Sequence, residues 1–154
     1  MAVVENNYKT EIEKNGVIAF VPGGNSMWPT LKNRGQSVIV RKKKGRLKVY
    51  DVAFYVRSNG AFVLHRVMEV KENGYVMLGD SQYNLEDVLE EQVFGVLEGF
   101  YRGKKYVTVD DKRYQRQVKR WFKHKFIRKV RLKLFYKGNS VKARLKRLFS
   151  RREK

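Results

Sequence analysis

Residues 49–78, VYDVAFYVRSNGAFVLHRVMEVKENGYVML, contain three runs rich in β-branched and aromatic residues, separated by two short polar turns. Each turn contains an Asn-Gly pair, Asn59-Gly60 or Asn73-Gly74, which is a strong signal for a tight hairpin because the favoured two-residue turns need positive φ at both central positions. The stretch therefore predicts two consecutive antiparallel hairpins and a mainly β fold.

Further β-rich runs flank this stretch, at residues 16–21, 37–41, 93–102 and 105–109. The first of them follows apolar residues at four-residue spacing, Val4, Tyr8 and Ile12, which predict a short amphipathic N-terminal helix. The acidic run 85–92 shows no alternation, and we predict a loop with one helical turn there. We therefore expect an antiparallel β domain over residues 1–111.

The charge of the chain is concentrated in its last part. Residues 112–154 hold 19 Lys and Arg against one acid, Glu153, a net charge of +18 out of the total of +20. Apolar residues recur there at helical spacing, from Val118 to Leu134, and Gly138-Asn139-Ser140 predicts a stop and a new cap. We expect a basic tail over residues 112–154 made of two amphipathic helices, the second with an apolar face of Val141, Leu145, Leu148 and Phe149.

Composition excludes several classes of protein. The chain has no cysteine, so it has neither disulfides nor a thiolate nucleophile or metal site. No stretch approaches the roughly 18 to 20 apolar residues that span a bilayer, and the N-terminal segment is not a standard export signal. These features are compatible with a cytoplasmic protein, and the basic tail adds the expectation of a peripheral location at the inner face of the membrane. We assign the protein no cofactor and no metal.

Ser26 follows a buried-strand pattern and the turn residues Pro22-Gly23-Gly24. Glycine lets the backbone turn sharply and approach a substrate, so Ser26 is placed where a nucleophile and a backbone oxyanion donor can be held still. On this evidence alone, a serine in a glycine-rich turn without a catalytic role is the better interpretation.

His65 is the only histidine before the basic tail. The other histidine of the chain, His124, lies among the lysines of the tail. Alternation along the strand places His65 beside Val63 and Val67 on the inward face, where a histidine is more often a core residue than a catalyst. Its ordinary pKa nevertheless suits a general base near neutral pH.

A catalytic histidine also needs a carboxylate that holds its tautomer and stabilises its protonated form. Asp80, in the turn Gly79-Asp80-Ser81, is the first candidate, and Glu86 and Asp87 are alternatives.

Three segments taken in order, residues 25–31 (NSMWPTL), 64–67 (LHRV) and 79–81 (GDS), resemble the signature boxes of type I signal peptidases. The resemblance extends from residue 16 to about residue 110. Bacterial signal peptidases, and the self-cleaving repressors that share their fold, use lysine as the base. This chain has His65 at the matching place and is therefore similar to the archaeal and endoplasmic-reticulum subgroup.

The resemblance implies an antiparallel β fold in which an extended peptide adds along a strand edge, with small side chains before the cleaved bond. It implies that His65 accepts the proton of Ser26, that Ser26 forms an acyl-enzyme, and that Asp80 orients His65. The backbone N–H of Ser26 would stabilise the oxyanion. Relatives often have a serine two places before the nucleophile, where this chain has Gly24, so Asn25 is the candidate for a second donor.

The basic tail allows three interpretations. An amphipathic basic helix binds anionic membrane surfaces, and we prefer this one, with the following candidate contact residues: Lys119, Arg120, Trp121, Phe122, Lys125, Arg128 and Lys129. Nucleic acid is the second choice because no recognised nucleic-acid motif accompanies the charge. In the third, the apolar side packs on the β domain and the charge is only solvated.

Two functions remain open from the sequence. The first is a serine endopeptidase that removes a leader or signal-like segment from a precursor peptide or protein. The second is a non-catalytic peptide-binding or regulatory module of the same fold, docked to membrane or nucleic acid by its tail. Intact Ser26 and His65 favour the first, because a binding module needs neither.

Overall fold

The computed structural model describes residues 2–31 and 36–150 of the chain. Contacts divide the chain into two compact units, Met1–Gln115 and Arg116–Lys154. Side chains are described from Tyr8 onward, with further gaps after Val141, so the predicted apolar side chains of Val4, Leu145, Leu148 and Phe149 lie outside the described residues.

The first unit is an eight-stranded antiparallel sheet with one N-terminal helix, which confirms the prediction of a mainly β fold. The elements are α1 Ala2–Asn15, β1 Val17–Phe20, β2 Val38–Lys42, β3 Val52–Val56, β4 Phe62–Lys71, β5 Gly74–Leu78, β6 Glu86–Leu89, β7 Val93–Arg102 and β8 Lys105–Thr108. The strands follow the order β1-β2-β7-β3-β4-β5-β6, and β8 pairs with β7 beyond that path.

Strand β3 and the middle of β4, residues 64–67, are buried on both faces, which explains the continuous apolar sequence of β3. On one face, Ala53, Tyr55 and Val67 belong to the core cluster that includes Met77 of β5. On the other face lies an aromatic cluster formed by Tyr8, Phe20, Phe54, Phe62 and Phe94. The sheet therefore packs two layers of side chains around the strand that carries His65.

Both predicted hairpins are present, but the expected positive φ at both central residues is found in neither turn. Neither Asn59 nor Asn73 has positive φ, and in the first turn only Gly60 does, at 82°. Gly74 is needed for a close approach, because a Cβ at this position would lie 2.2 Å from the carbonyl oxygen of Val88 on β6. Glycine here lets strand β6 pair closely with β5.

The prediction of a loop at residues 85–92 is wrong for its first half. Residues Glu86–Leu89 form the edge strand β6, and a single 3₁₀ turn, Glu90–Gln92, follows. The sequence of β6 shows no alternation of apolar and polar residues, because Val88 is the one residue of this strand whose side chain is buried. An edge strand with one buried side chain carries too weak a hydrophobic pattern to be recognised.

The basic part contains the helices α2 Lys112–Lys123 and α3 Lys125–Ser150. The carboxylate of Asp111 caps α2 by accepting the backbone N–H groups of Arg113 and Tyr114. The predicted break at Gly138 is wrong: α3 runs through it, and the helices separate at His124 instead. A single glycine costs a helix only about 1 kcal/mol, and no proline enforces a break.

Among residues 2–31 and 36–150, we find no helix that has both the length and the apolar character needed to cross a bilayer.

Candidate active site

A cavity of about 300 Å³ opens on the β unit, between the loop that follows β1 and the first half of β4. Ser26 and His65 both line it. Aromatic side chains from α1, β1, β3 and β4 line another part of it, namely Tyr8, Phe20, Phe54 and Phe62. The structure therefore brings Ser26 and His65 to the same cavity.

The loop of residues 22–31, which we call the serine loop, carries Ser26 and is held to the turn at residues 79–81. The backbone N–H of Ser81 donates to the carbonyl oxygen of Ser26 over 2.8 Å. The hydroxyl of Ser81 donates to the carbonyl oxygens of Asn25 and Ser26, over 2.8 and 3.2 Å. Gly24 has a φ of 76°, a conformation that other residues rarely adopt. The carbonyl groups of Asn25 and Ser26 are thus held by hydrogen bonds to Ser81.

Gly79 allows this close approach. A Cβ on Gly79 would lie 2.9 Å from the carbonyl oxygen of Ser26 and 2.7 Å from the side-chain oxygen of Gln82. Glycine at position 79 is therefore required by the short distance between the turn at residues 79–81 and the serine loop, whereas the sequence suggested only a turn.

His65 lies in the middle of β4 and is only 3% exposed. Its Nδ1 is 3.1 Å from the hydroxyl of Tyr55 on β3, and that hydroxyl donates to an oxygen of Glu86 on β6 over 2.8 Å. The same Glu86 oxygen is 3.7 Å from Nδ1. Strands β3, β4 and β6 therefore supply a Glu-Tyr-His chain.

The direction of the protons in this chain follows from the donors available. Arg57 binds Glu86 with two hydrogen bonds of 2.7 and 2.6 Å, and this pairing holds the pKa of Glu86 below its usual range, so it is ionised and only accepts. Burial and the carboxylate of Glu86 raise the pKa of Tyr55, so its hydroxyl stays protonated. It donates that one hydrogen in a hydrogen bond to Glu86. The remaining lone pair of the Tyr55 oxygen then accepts from Nδ1–H of His65.

This arrangement selects the neutral tautomer of His65 that has its proton on Nδ1 and a free lone pair on Nε2. Burial, with a smaller contribution from the positive charge of Arg57, lowers the pKa of His65 to about 4. The imidazole is thus neutral across the physiological range with its Nε2 lone pair unprotonated, and burial makes it a weaker base than the ordinary pKa expected from the sequence.

Asp80 was predicted to orient His65; in the structure it pairs with Arg66, and its negative charge also acts to raise the pKa of His65, against the larger effect of burial. It is fully buried, and Arg66, also fully buried, donates to its two oxygens over 2.8 and 2.7 Å. Arg66 further donates to the backbone oxygen of Tyr50 over 2.8 Å. Asp80 therefore joins the turn at residues 79–81 to β4. Glu86, one of the alternative carboxylates named from the sequence, lies 3.7 Å from Nδ1 of His65.

Two other sequence candidates lie elsewhere. Asp87 is exposed and pairs with Lys71 at the surface, over 2.6 Å. Asn25 is exposed, and its backbone oxygen accepts from Trp28 and Ser81.

The predicted anion-binding residues of the basic part divide by exposure. The exposed ones are Lys119, Arg120, Lys125 and Lys129. Trp121 is buried, and Phe122 and Arg128 are half-buried, with the guanidinium of Arg128 5.3 Å from the ring centre of Phe122. The aromatic residues named from the sequence are thus not open to solvent in the way that a membrane or base contact would require.

Sequence reasoning did not select Tyr55, Arg57 or Arg66, which contact the candidate site residues His65, Glu86 and Asp80. The first hairpin could have identified Tyr55. The turn at residues 58–60 sets a register in which Tyr55 pairs with Val63 and Ala53 pairs with His65. Tyr55 and His65 are then diagonal neighbours on one face.

Compared with known proteins, the chain matches no family model, and none of the curated proteins shows significant similarity to it.

Proposed function

We propose that this protein is a serine endopeptidase in which Ser26 is the nucleophile and His65 is the general base. The observation that carries the proposal is the orientation of His65, whose Nδ1 is bonded to Tyr55 while the ring lines the same cavity as Ser26. A core histidine needs a hydrogen-bond partner, but it does not need a polarised three-residue chain or a solvent cavity shared with a serine on a fixed loop.

In the proposed reaction, Nε2 of His65 takes the hydroxyl proton of Ser26 as its Oγ attacks the carbonyl carbon of the scissile bond. The backbone N–H of Ser26 donates to the oxyanion; such a donor is worth about 10²–10³ in rate. The imidazolium then gives its Nε2 proton to the leaving amine, which leaves an ester on Ser26. A water molecule, deprotonated by Nε2, hydrolyses this ester and restores the hydroxyl.

The carboxylate of Glu86, 3.7 Å from Nδ1, favours the positive charge that forms on His65 and partly offsets the opposing effects of burial and of Arg57, while Tyr55 accepts the hydrogen bond of Nδ1–H. In this proposal Tyr55 and Glu86 are positioning residues, since neither has to touch the substrate. Asp80 acts through the backbone, because its ion pair with Arg66 fixes the turn that holds the serine loop.

A strand edge beside the cavity supports an extended peptide substrate. Within the described part of the chain, residues 62–65 of β4 pair with β3 only, since β5 begins its pairing with β4 at Arg66. The backbone groups on the other side of residues 62–65 are therefore available to a peptide that adds as a strand. The proposed substrate is accordingly a precursor whose leader or signal-like segment is cleaved in an extended conformation.

The proposal is tested by labelling the purified protein with a fluorophosphonate, which bonds covalently to an activated serine, and locating the label by mass spectrometry. We expect label on Ser26 in the wild type and none in Ser26→Ala or His65→Gln. Matched controls are Ser58→Ala and His124→Gln, which change an exposed serine and an exposed histidine.

Equal labelling of His65→Gln and the wild type would contradict the assignment of the base. A folded wild type that stays unlabelled between pH 5 and pH 9, but binds extended peptides, would favour the peptide-binding module instead. Both controls should label at the wild-type rate.

A further inference from the structure

Helix α3 exposes a row of apolar side chains that nothing in the proposed peptidase reaction uses. Phe126 is 79% exposed and Leu134 is 65% exposed. The full row, which we call the exposed face of α3, consists of Phe126, Ile127, Val130, Leu134 and Val141. Exposed apolar residues are ordinary when scattered, but a continuous group indicates a binding surface.

These five residues share one side of the helix. At 100° per residue, they fall within an arc of about 100° around the axis. Leu132, which is fully buried, lies about 180° from the middle of that arc. The exposed face is therefore distinct from the side of α3 that is already covered.

Charge around the exposed face identifies what would cover it. Between residues 125 and 141 the helix carries six Lys or Arg and no acid. Lys129 and Lys133 follow one edge of the arc, Arg131 follows the other, and Lys137 lies within it. An apolar stripe bordered by cations complements the surface of an anionic membrane, where acyl chains lie just beneath phosphate groups.

We propose that α3 lies flat in an anionic phospholipid surface, with its exposed face buried at the level of the first acyl carbons. Nucleic acid would engage the cations but would leave Phe126, Val130 and Leu134 in water. This surface is independent of Ser26 and His65. It also replaces Trp121 and Phe122, on the preceding helix, as the apolar contacts expected from the sequence.

The test is cosedimentation of the full chain with vesicles of phosphatidylcholine containing 30% phosphatidylglycerol, compared with pure phosphatidylcholine. We expect binding to the anionic vesicles, weakened by 0.5 M salt because the charges are screened. The double variant Val130→Ser and Leu134→Ser keeps the charge and should bind about tenfold or more weakly. The matched control is Leu85→Ser with Leu89→Ser, which removes two exposed apolar residues of the β unit.

The absence of cysteine gives a second measurement that does not depend on affinity. A fluorophore sensitive to polarity, attached to Leu134→Cys, should shift to shorter wavelength with anionic vesicles, whereas the same label on Leu85→Cys should not. The proposal is overturned if the wild type does not bind vesicles, or if the serine double variant binds them equally well. It is also overturned if the chain binds RNA while the label at position 134 stays in water with vesicles.

Discussion

Replacing Tyr55 by Phe removes a single oxygen from the chain that orients His65. The ring still fills its fully buried position on β3, so packing is largely kept. Nδ1–H of His65 loses its acceptor, and Glu86 keeps its two bonds to Arg57. The variant therefore separates the orientation of the imidazole from the rest of the fold.

The expected loss follows from the cost of a buried, unpaired donor, about 1–3 kcal/mol. If that cost falls on the tautomer with Nε2 free, the reactive fraction drops by about 5- to 150-fold. A wrongly fixed tautomer costs up to about 10⁴ in serine peptidases. We therefore expect the rate of fluorophosphonate labelling to fall about 10- to 100-fold for Tyr55→Phe.

The tautomer itself can be measured without a substrate. In protein labelled with ¹⁵N-histidine, long-range ¹H–¹⁵N correlation distinguishes a protonated ring nitrogen from one with a free lone pair. The chain has two histidines, and His65→Gln assigns them. We expect a proton on Nδ1 in the wild type and a shift of the population toward Nε2–H in Tyr55→Phe.

Tyr75→Phe is the matched control, because it removes another buried hydroxyl, one that accepts the backbone N–H of Leu47 over 3.1 Å. It should cost comparable stability and leave the His65 signals and the labelling rate unchanged. The reasoning would be refuted by wild-type His65 protonated on Nε2 at neutral pH, or by equal labelling rates in Tyr55→Phe and the wild type.

Three further predictions concern stability and the serine loop. Asp80→Asn leaves the guanidinium of Arg66 buried without its counter-charge and should lower the free energy of unfolding by about 3–5 kcal/mol in urea titrations; a change below 1 kcal/mol would show that the pair is dispensable. Because the pKa of His65 is about 4 when folded and about 6.5 when unfolded, the unfolded chain binds the proton first as the pH falls. Stability from this group is therefore full above pH 6.5 and falls by about 3 kcal/mol toward pH 4, and His65→Gln should show a correspondingly flatter profile. Gly79→Ala places a methyl group against the serine loop and should cost about 1–3 kcal/mol and slow labelling. Gly138→Ala, on α3 with open space around its Cβ, should neither destabilise the protein nor slow labelling, and equal labelling of the two variants would count against the contact.

Local patterns in the sequence were enough to predict most of the strands. Runs of β-branched and aromatic residues between turns mark β3, β4 and β5, because a strand and its hairpin are set by neighbouring residues. The helix break at Gly138 failed for the opposite reason: a glycine weakens a helix by an amount that the rest of a 26-residue helix offsets.

The candidate site was predictable only in part. Ser26 and His65 could be chosen only because their segments occur in order and resemble known signature boxes, since a constrained turn and a single strand histidine by themselves favour no catalytic role. The chain that orients His65 could not be chosen, since Tyr55 resembles any other aromatic strand residue until the register of β3 and β4 is known.

The sequence by itself therefore determined the mainly β fold, the basic helical part and the two central candidates for chemistry. Only the tertiary structure showed which carboxylate lies within 3.7 Å of Nδ1 of His65. Asp80 is bound by Arg66 on the neighbouring strand, while β6, by pairing with β5, brings Glu86 to Tyr55. Such a choice depends on strand order and register, which bring together groups distant in sequence, and no local pattern encodes the distance between them.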